Sequence, residues 1–434
     1  MAAINLESFN HGLIDFIGNS PTAFHATSNM KKILVKNGFN ELKESDTWNI
    51  DSGKYFIVRN DSGLLAFTIC KKNNPALGFK MIGAHTDSPS LKVKPNAEKI
   101  ANNYLQLGVE VYGGPLLTTW FDRDLSMAGK VIYLDKNEKI QSTLLDFKRA
   151  IATIPSLAIH LDRDANDKKS VQKQKDLPPL LGQIHGKGNK SFKDILMKEL
   201  ESSSPNLEIK KILDHDMCFY DVQKPAIVGI NGEFITGARL DNLICCYCGL
   251  MSIIENHDDT NTLLVCNDHE ECGSSSNVGA GGPMLKDILQ RVCSNFETYS
   301  RMIANSMLVS CDNAHAIHPN FPEKSEENHG PLLNHGPAIK INHNQRYATT
   351  SETAAYFTYI AGKAESPVQK FISRTDMPCG STIGPITASN IGVKTIDVGV
   401  PTFGMHSIRE TAGYKDSWYL YNILSCVFNS AKDN

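Results

Sequence analysis

The sequence lacks the features that mark membrane, secreted and nucleic-acid-binding proteins. No apolar run among its 434 residues reaches the ~20 residues that a membrane helix needs. The N-terminus has no basic region followed by an apolar core, as a secretory signal would have. With 44 Lys and Arg against 47 Asp and Glu, the net charge of -3 provides no basic field for nucleic acid. These absences predict a soluble, cytoplasmic protein.

Cysteine is present, but not in the number or spacing of a disulfide framework. The count of 11 is odd, and Cys245, Cys246 and Cys248 fall together on a predicted helix. Such a pattern indicates free thiols in a reducing compartment. Because no two Cys-x-x-Cys motifs occur, a structural zinc site made of thiolates is not expected.

The apolar pattern divides the chain into three parts. Residues 1–93 begin with helical spacing and continue with strand-like runs, and residues 94–232 carry short strands separated by polar stretches. From 233 to 434, strand, loop and helix alternate, which predicts an α/β fold with a mixed, largely parallel sheet covered by helices. Because the chain exceeds one ordinary domain, we expect 94–232 to be a β-rich domain inserted into the other two parts.

Polar side chains follow three of the apolar runs that this sheet requires. His85 and Asp87 come after one run, Glu270 and Glu271 after a second, and Asp312 after a third. In such a sheet, ligands gather at the carboxyl ends of the strands. Adjacent carboxylates repel each other, but a metal hydrolase uses such a pair, one to ligate a dication and one to accept a proton from water. The pattern therefore indicates a metal site.

Each candidate also has an ordinary structural explanation when it is taken alone. Glu-Glu pairs usually lie on solvated surfaces, and a lone histidine is more often hydrogen-bonded than metal-bound. Asp241, in a segment that opens a predicted helix, could be a helix cap, and Asp312 could belong to a turn. Lys340 could be an exposed lysine on an edge strand.

In their order along the chain, the motifs closely resemble those of the aspartyl aminopeptidase family, which are cytosolic dinuclear zinc exopeptidases. The resemblance covers nearly the whole chain, and no expected metal ligand or base is missing. It rests on the segments 85–89, 120–125, 157–161, 239–243, 268–271, 314–320, 344–348, 380–385 and 405–410. It implies a zinc-exopeptidase type of fold, with 94–232 as the family's inserted dimerisation domain.

The resemblance also implies a set of metal ligands. Asp241 would bridge two zinc ions per subunit, which cobalt or manganese could replace. His85 and Asp312 would complete the first zinc site, and Glu271 and His406 would complete the second. Each ion would then have three protein ligands and an open position, as catalytic zinc requires.

Catalytic and substrate-binding residues follow from the same resemblance. Glu270 would be the general base that takes a proton from water, and Asp87 would orient His85. The expected substrate-binding residues are His160, His315, Lys340, Tyr347 and Gly380. Among them, Lys340 would face the acidic side chain of an N-terminal Asp or Glu, and His160 would reach the site of a partner subunit.

The implied function is hydrolysis of N-terminal acidic residues from peptides, by a homo-oligomer built from dimers and amounting to a dodecamer. One alternative is a carboxypeptidase or deacylase with a similar dinuclear site, in which Lys340 or Arg346 would hold the free carboxylate of the substrate. A non-catalytic oligomeric scaffold is the alternative from outside catalysis. Neither nucleic acid nor a membrane is an expected partner.

Overall fold

The computed structural model describes residues 4–72, 74–168, 170–184, 191–255, 260–293 and 295–430. The chain forms two compact units. Unit 1 comprises Met1–Ser88, Pro225–Met405 and Glu410–Asn434, and unit 2 comprises Pro89–Lys224 and His406–Arg409.

The helices and strands of the described residues are numbered here in chain order. The helices are α1 (Leu6–Gly18), α2 (Ala23–Lys36), α3 (Ala165–Lys168), α4 (Lys173–Asp176), α5 (Phe192–Ser203), α6 (Leu240–Ile254), α7 (Met284–Val292), α8 (Phe296–Ala304), α9 (Ser351–Lys363), α10 (Ile383–Ile391) and α11 (Asp416–Asn429). The strands are β1 (Asn40–Glu41), β2 (Gly53–Arg59), β3 (Gly63–Ile69), β4 (Lys80–His85), β5 (Ser90–Ala101), β6 (Tyr104–Tyr112), β7 (Leu125–Asp135), β8 (Ile140–Asp146), β9 (Leu180–Gln183), β10 (Ile209–Asp221), β11 (Ala226–Val228), β12 (Phe234–Gly237), β13 (Thr262–Asn267), β14 (Met307–Cys311), β15 (Ala314–His315), β16 (Ala338–Ile341), β17 (Gln369–Ile372), β18 (Lys394–Gly399), β19 (Pro401–Phe403) and β20 (Glu410–Gly413). Among the described residues, none of these helices combines the length and apolarity needed to cross a membrane.

Unit 1 is built on a nine-stranded sheet of order β1-β2-β3-β13-β4-β14-β18-β16-β17. The central strands β13, β4, β14 and β18 pair in parallel, as do β1 with β2 and β16 with β17. The pairs β2 with β3, β3 with β13 and β16 with β18 are antiparallel. The prediction of a mixed, largely parallel sheet is therefore confirmed.

Helices cover both faces of this sheet. Leu264 of β13 points into a core that includes α1, α2, α6, α9 and α11, whereas its neighbours Leu263 and Val265 point into a core with α7 and α8. Successive residues of a strand face opposite sides, so both faces of β13 are buried. This accounts for the unbroken apolar run that precedes the Glu270-Glu271 pair, and the predicted helix-covered sheet is confirmed.

Helix α6 lies inside unit 1, where 13 of its residues are buried. Cys245, Cys246 and Cys248 are among them, and burial raises the pKa of each thiol. None of the 11 cysteines, all of which lie among the described residues, forms a disulfide bond. A helix that is apolar on all sides belongs in a core, so these thiols pack α6 rather than bind metal.

Unit 1 also contains a five-stranded sheet of order β11-β12-β20-β19-β15. Unit 2 has its own antiparallel sheet of order β8-β7-β10-β5-β6-β9 and its own apolar core. Helix α5 contributes Phe192, Leu196 and Leu200 to that core. The chain thus contains a second, β-rich unit between two parts of the α/β unit.

The borders of unit 2 differ from the expected 94–232 for a structural reason. Strand β5 already begins at Ser90 and pairs with β6 and β10 of unit 2. Strand β11 pairs with β12 of unit 1, so the insertion ends at Lys224. The short segment His406–Arg409, expected in the second catalytic part, is grouped with unit 2.

Candidate metal centre

His85 ends strand β4 and is almost fully buried. Its Nδ1 lies 3.0 Å from the carbonyl oxygen of Asp87, which can only accept, so Nδ1 donates. Its Nε2 lies 3.4 Å from Asp241 Oδ1 and 3.6 Å from Asp312 Oδ1. The ring is thus oriented with Nε2 toward two carboxylates, which is the arrangement of a histidine that ligates a metal.

The electrostatics of this cluster favour a cation. Burial lowers the pKa of His85, but hydrogen bonds to Asp241, Asp312 and Asp87 outweigh burial and raise the pKa well above its usual value. The carboxylates therefore draw a proton onto the imidazole in the absence of another positive charge. A dication would take the place of that proton, since metal binding releases protons from its ligands.

Asp241 enters the site from the first turn of α6. Its backbone N–H donates to Glu410 Oε2 at 3.0 Å, and its carbonyl accepts from Ser88 Oγ at 2.7 Å. The backbone of Asp241 is not helical, with φ -82° and ψ 106°, and interrupts the helical conformation at the start of α6. Asp241 is therefore held by its main chain, with its carboxylate toward His85.

Glu270 and Glu271 lie on a short 3-10 turn, Glu270–Cys272, just after β13. Their backbone N–H groups each donate to Asp87, one to Oδ1 and the other to Oδ2, both at 3.1 Å. The same Asp87 Oδ1 lies 3.4 Å from His85 Nδ1. Asp87 thus contacts His85 and in addition holds the turn that carries the glutamate pair.

The ligand atoms of His85, Asp241 and Glu271 all lie within 4.8 Å of one another. Asp312 joins this group through its contact with His85. One imidazole nitrogen and several carboxylate oxygens form a donor set that suits zinc and related dications. The residues present therefore fit the metal that the sequence predicts, and β4, α6, the turn after β13 and the end of β14 bring them together.

Glu270 has the electrostatic character of a proton acceptor. Burial raises its pKa to about 8; nearby His85 opposes this rise, while Asp312, Glu271 and Asp241 add to it. A general base works best with a pKa near the working pH. The two adjacent glutamates therefore differ in environment, with Glu271 in the ligand cluster and Glu270 beside it.

Lys340 on β16 is buried, with 3% of its surface exposed. Its Nζ lies 3.5 Å from Asp312 Oδ2. Burial would raise the pKa of Asp312, but Lys340 and His85 hold it below its usual range. Strand β16 lies between β18 and β17, so the alternative of an exposed lysine on an edge strand is wrong.

An aromatic wall runs from Lys340 to His315. Lys340 Nζ lies 5.4 Å from the ring centroid of Tyr347, a cation–π distance. The Tyr347 ring lies 6.3 Å from Phe371, which in turn lies 5.9 Å from the exposed His315. Three of the predicted substrate residues therefore belong to one series of contacts, in which Lys340 and Tyr347 are buried and His315 is exposed. Phe371 is buried within the same series, although no sequence motif pointed to it.

Gly380 lies on a segment that contacts the Tyr347 segment. Arg346 Nε donates to the carbonyls of Cys379 and Gly380 at 3.2 and 3.4 Å. Ser381 Oγ donates to the carbonyl of Arg346 at 3.2 Å. The structure therefore places Gly380 next to the chain that carries Tyr347, and it gives Arg346 partners in the main chain.

His406 and His160 belong to unit 2. His406 Nδ1 donates to the carbonyl of Gly114 at 3.1 Å, which leaves Nε2 as the nitrogen with a lone pair. His160 lies on an exposed loop. Four of the five predicted ligands thus meet within unit 1, and the fifth, His406, belongs to unit 2.

Sequence reasoning missed Glu410, which is buried and accepts from the backbone of Asp241. It also missed Asp397, a carboxylate inside the apolar strand β18. A charged residue in an otherwise apolar run was the available signal for Asp397. No local pattern distinguishes Glu410, because its partner is 169 residues away.

A buried cluster of one imidazole and several carboxylates, beside a glutamate of raised pKa at the edge of a largely parallel sheet, is typical of metal-dependent hydrolases. Residues 16–428 match the family model described as Aminopeptidase I zinc metalloprotease (M18). The chain belongs to this M18 family of zinc aminopeptidases.

Relatives and solved structures agree with this assignment. A protein of Pseudomonas savastanoi pv. phaseolicola named "Probable M18 family aminopeptidase 2" is 51% identical, and the match covers 97% of this chain and 98% of that protein. A protein of the same name from Pseudomonas aeruginosa is 50% identical, with 98% of each chain covered. Ape4 in its complex with Nbr1 superposes with a TM-score of 0.94 at 37% identity, covering 98% of this chain and 86% of that one. The S. cerevisiae mApe1 dodecamer gives 0.85 at 29% identity, covering 98% and 97%.

Proposed function

We propose that this aminopeptidase removes N-terminal Asp and Glu residues from peptides and uses two zinc ions per subunit. The observation that carries the specificity is the buried ammonium of Lys340, at one end of the wall formed by Tyr347, Phe371 and His315. A buried cation next to a metal cluster suits a substrate side chain that ends in a carboxylate.

The proposed ligands divide between the two ions. His85 and Asp312 would hold one, Glu271 and His406 the other, and Asp241 would be shared by both. When bound, the zinc pair supplies Lewis acidity that polarises the scissile carbonyl and lowers the pKa of a water molecule. The hydrogen bonds from His85 Nδ1 and His406 Nδ1 to backbone carbonyls keep both rings in the tautomer that this role requires.

Glu270 carries the proton in this mechanism. Its raised pKa makes the carboxylate able to accept a proton from water and then to donate it to the leaving amine. Asp87 keeps Glu270 in place, because the bond from the Glu270 amide fixes the turn. His315, exposed at the end of the aromatic wall, would donate to the oxyanion that develops on the carbonyl.

Lys340 would serve both the metal ligand and the substrate. It lies 3.5 Å from Asp312, so it partly neutralises that carboxylate. A dication on Asp312 would take over this neutralisation, and the ammonium would then attract an incoming carboxylate more strongly. Binding of the dication and binding of an acidic substrate would therefore each strengthen the other.

We also propose a dodecamer assembled from dimers through unit 2, located in the cytoplasm. The loop that carries His160 exposes 61% of Leu157, 46% of Ile159 and 75% of Leu161. Three exposed apolar residues on one short loop are typical of an interaction surface. In the assembly, His160 would complete the site of a partner subunit. The presence of 11 cysteines without a disulfide bond between them supports a reducing compartment.

A turnover panel over N-terminal residue types, with zinc content measured on the same sample, tests this proposal. We expect Asp and Glu to lead, about two zinc ions per chain, and loss of turnover when the amino end is acetylated. Equal turnover of the acetylated peptide would contradict aminopeptidase action. Neutral residues in the lead would contradict the assignment of Lys340.

A further inference from the structure

Asp397 is a buried carboxylate that the proposed mechanism does not use. It lies on β18, between β14 and β16, and none of its surface is exposed. Burial raises its pKa, although hydrogen bonds to its carboxylate and the charge of Lys340 oppose this rise. A carboxylate at such a position is costly unless it is fully hydrogen-bonded.

The partners of Asp397 come from two separate segments of the chain. Its Oδ1 accepts from Thr382 Oγ1, and its Oδ2 accepts from the backbone N–H of Ala348, both at 2.6 Å. Its own backbone N–H donates to Thr349 Oγ1 at 3.0 Å. One side chain therefore joins the segment after Tyr347 to the segment after Gly380.

The residue at position 384 makes room for this arrangement. A Cβ atom on Gly384 would clash with both carboxylate oxygens of Asp397. Thr382 at the same time caps the start of α10. The two segments are also linked directly, since Arg346 donates to the carbonyl of Gly380 and Ser381 Oγ donates to the carbonyl of Arg346. Asp397 adds a buried link between the same two segments, through its contacts with Ala348 and Thr382.

We infer that Asp397 is a positioning residue for the pocket that receives the acidic side chain. By fixing the spacing of the two segments, it sets the Tyr347 ring against Lys340 and keeps Gly380 in contact with Arg346, the residue before Tyr347. Its negative charge also acts on the Lys340 ammonium. This inference rests on the proposed function, because it names the residue that shapes the proposed specificity pocket.

The first test is Asp397→Asn, assayed with Asp- and Glu-peptides and with an Ala-peptide. Asparagine keeps one oxygen for Thr382, but its NH2 group opposes the N–H of Ala348. Losing a hydrogen bond to a charged group predicts a KM for acidic substrates raised roughly tenfold to a hundredfold. We expect kcat, zinc content and the KM of the Ala-peptide to change by less than about threefold. A purely structural aspartate would instead lower the active fraction, and hence kcat for all substrates, at unchanged KM.

A second pair of variants decides the matter even if Asp397→Asn does not fold. Thr382→Val removes the donor to Asp397 and should raise KM for acidic substrates, whereas Thr382→Ser keeps the donor and should restore it. Asp416→Asn is the matched control, because Asp416 is equally buried and its carboxylate also accepts two hydrogen bonds, in this case from the backbone N–H groups of Asn334 and Gly336. It should leave the substrate ranking unchanged.

The outcomes separate this inference from the proposed function. A wild-type enzyme without preference for acidic residues overturns the proposed function. A wild-type preference that Asp397→Asn or Thr382→Val leaves intact overturns the inference alone. The inference also fails if Asp416→Asn shifts the ranking in the same way, because the effect would then be a general loss of stability.

Discussion

Replacing Asp87 by Asn tests how the metal site is held together. Asp87 is 4% exposed, and its two oxygens accept the amides of Glu270 and Glu271 at 3.1 Å each. The asparagine side chain keeps one acceptor and turns the other into an NH2 group that faces an N–H. One of the two amides therefore loses its acceptor, and the turn that carries Glu271 keeps only one of its two hydrogen bonds to residue 87.

The size of the effect follows from these contacts. A hydrogen bond to a charged group contributes roughly 1.5–3 kcal/mol. Removing a residue that supports metal ligands typically weakens metal affinity by about 10- to 100-fold. These figures agree, since tenfold is about 1.4 kcal/mol. We therefore expect Asp87→Asn to raise the zinc Kd by roughly 10- to 100-fold, and to lower turnover at limiting zinc.

Competition with a chelator of known affinity, followed by zinc content and turnover in the same samples, measures this change. Asp416→Asn is again the matched control, since Asp416 accepts the amides of Asn334 and Gly336 at 2.6 and 2.8 Å. It should leave the zinc Kd unaltered. Saturating zinc should restore part of the turnover of Asp87→Asn. An unchanged zinc Kd in Asp87→Asn would refute the reasoning, as would an equal change in the control.

The other predictions concern charge at the same site and elsewhere in unit 1. Glu270→Gln should keep zinc and lower kcat by about 10²- to 10⁴-fold, measured with saturating Asp-peptide; turnover near the wild-type level would exclude Glu270 as the base. Lys340→Ala should abolish the preference for acidic residues at unchanged zinc content; loss of zinc would mean that Lys340 serves Asp312 alone. Chelation of the metal should lower Tm, and the decrease should grow as pH rises from about 5 to 8. The pKa of Glu270 is raised in the fold, so Glu270 stabilises the metal-free fold at pH values below its pKa in the unfolded chain, and this stabilisation is lost as pH rises through about 8. Glu270→Gln should make the decrease in Tm less dependent on pH. Burial raises the pKa of Asp416 to about 6. The free energy of unfolding of the wild type, relative to that of Asp416→Asn, should therefore fall by up to ~3 kcal/mol between pH 4 and pH 7, as measured by urea titration. A difference that stays constant with pH would contradict the raised pKa of Asp416.

Several parts of the site were predictable from the sequence because their signals are local. His85, Glu271 and Asp312 each follow an apolar run, and the parallel pairing of β4, β13 and β14 brings the ends of those runs together. The helix-covered sheet was predictable for the same reason, since period and residue type are read within one element. These expectations needed no knowledge of strand order.

The supporting contacts could not be read in this way. Asp87 meets the amide of Glu270 across 183 residues, and Asp241 meets Glu410 across 169. Lys340 pairs with Asp312 because of the strand order β14-β18-β16-β17. In this order β16 is an inner strand of the sheet, one strand away from the end of β14 that leads to Asp312. As for Asp397, a charged residue in an otherwise apolar run was the local signal that Lys340 is buried, but the partner Asp312 is not visible from that run.

The sequence by itself determined the family, the α/β architecture and the side chains able to bind metal, because residue type, spacing and motif order are properties of the chain alone. The tertiary structure decided which of those side chains share one cluster, how Asp87 holds the glutamate pair and how Asp397 joins two distant segments. These are distances between residues far apart in the chain, and they depend on strand order and on packing across the sheet. The physical reason is that a buried charge is tolerated only where the fold supplies its partners.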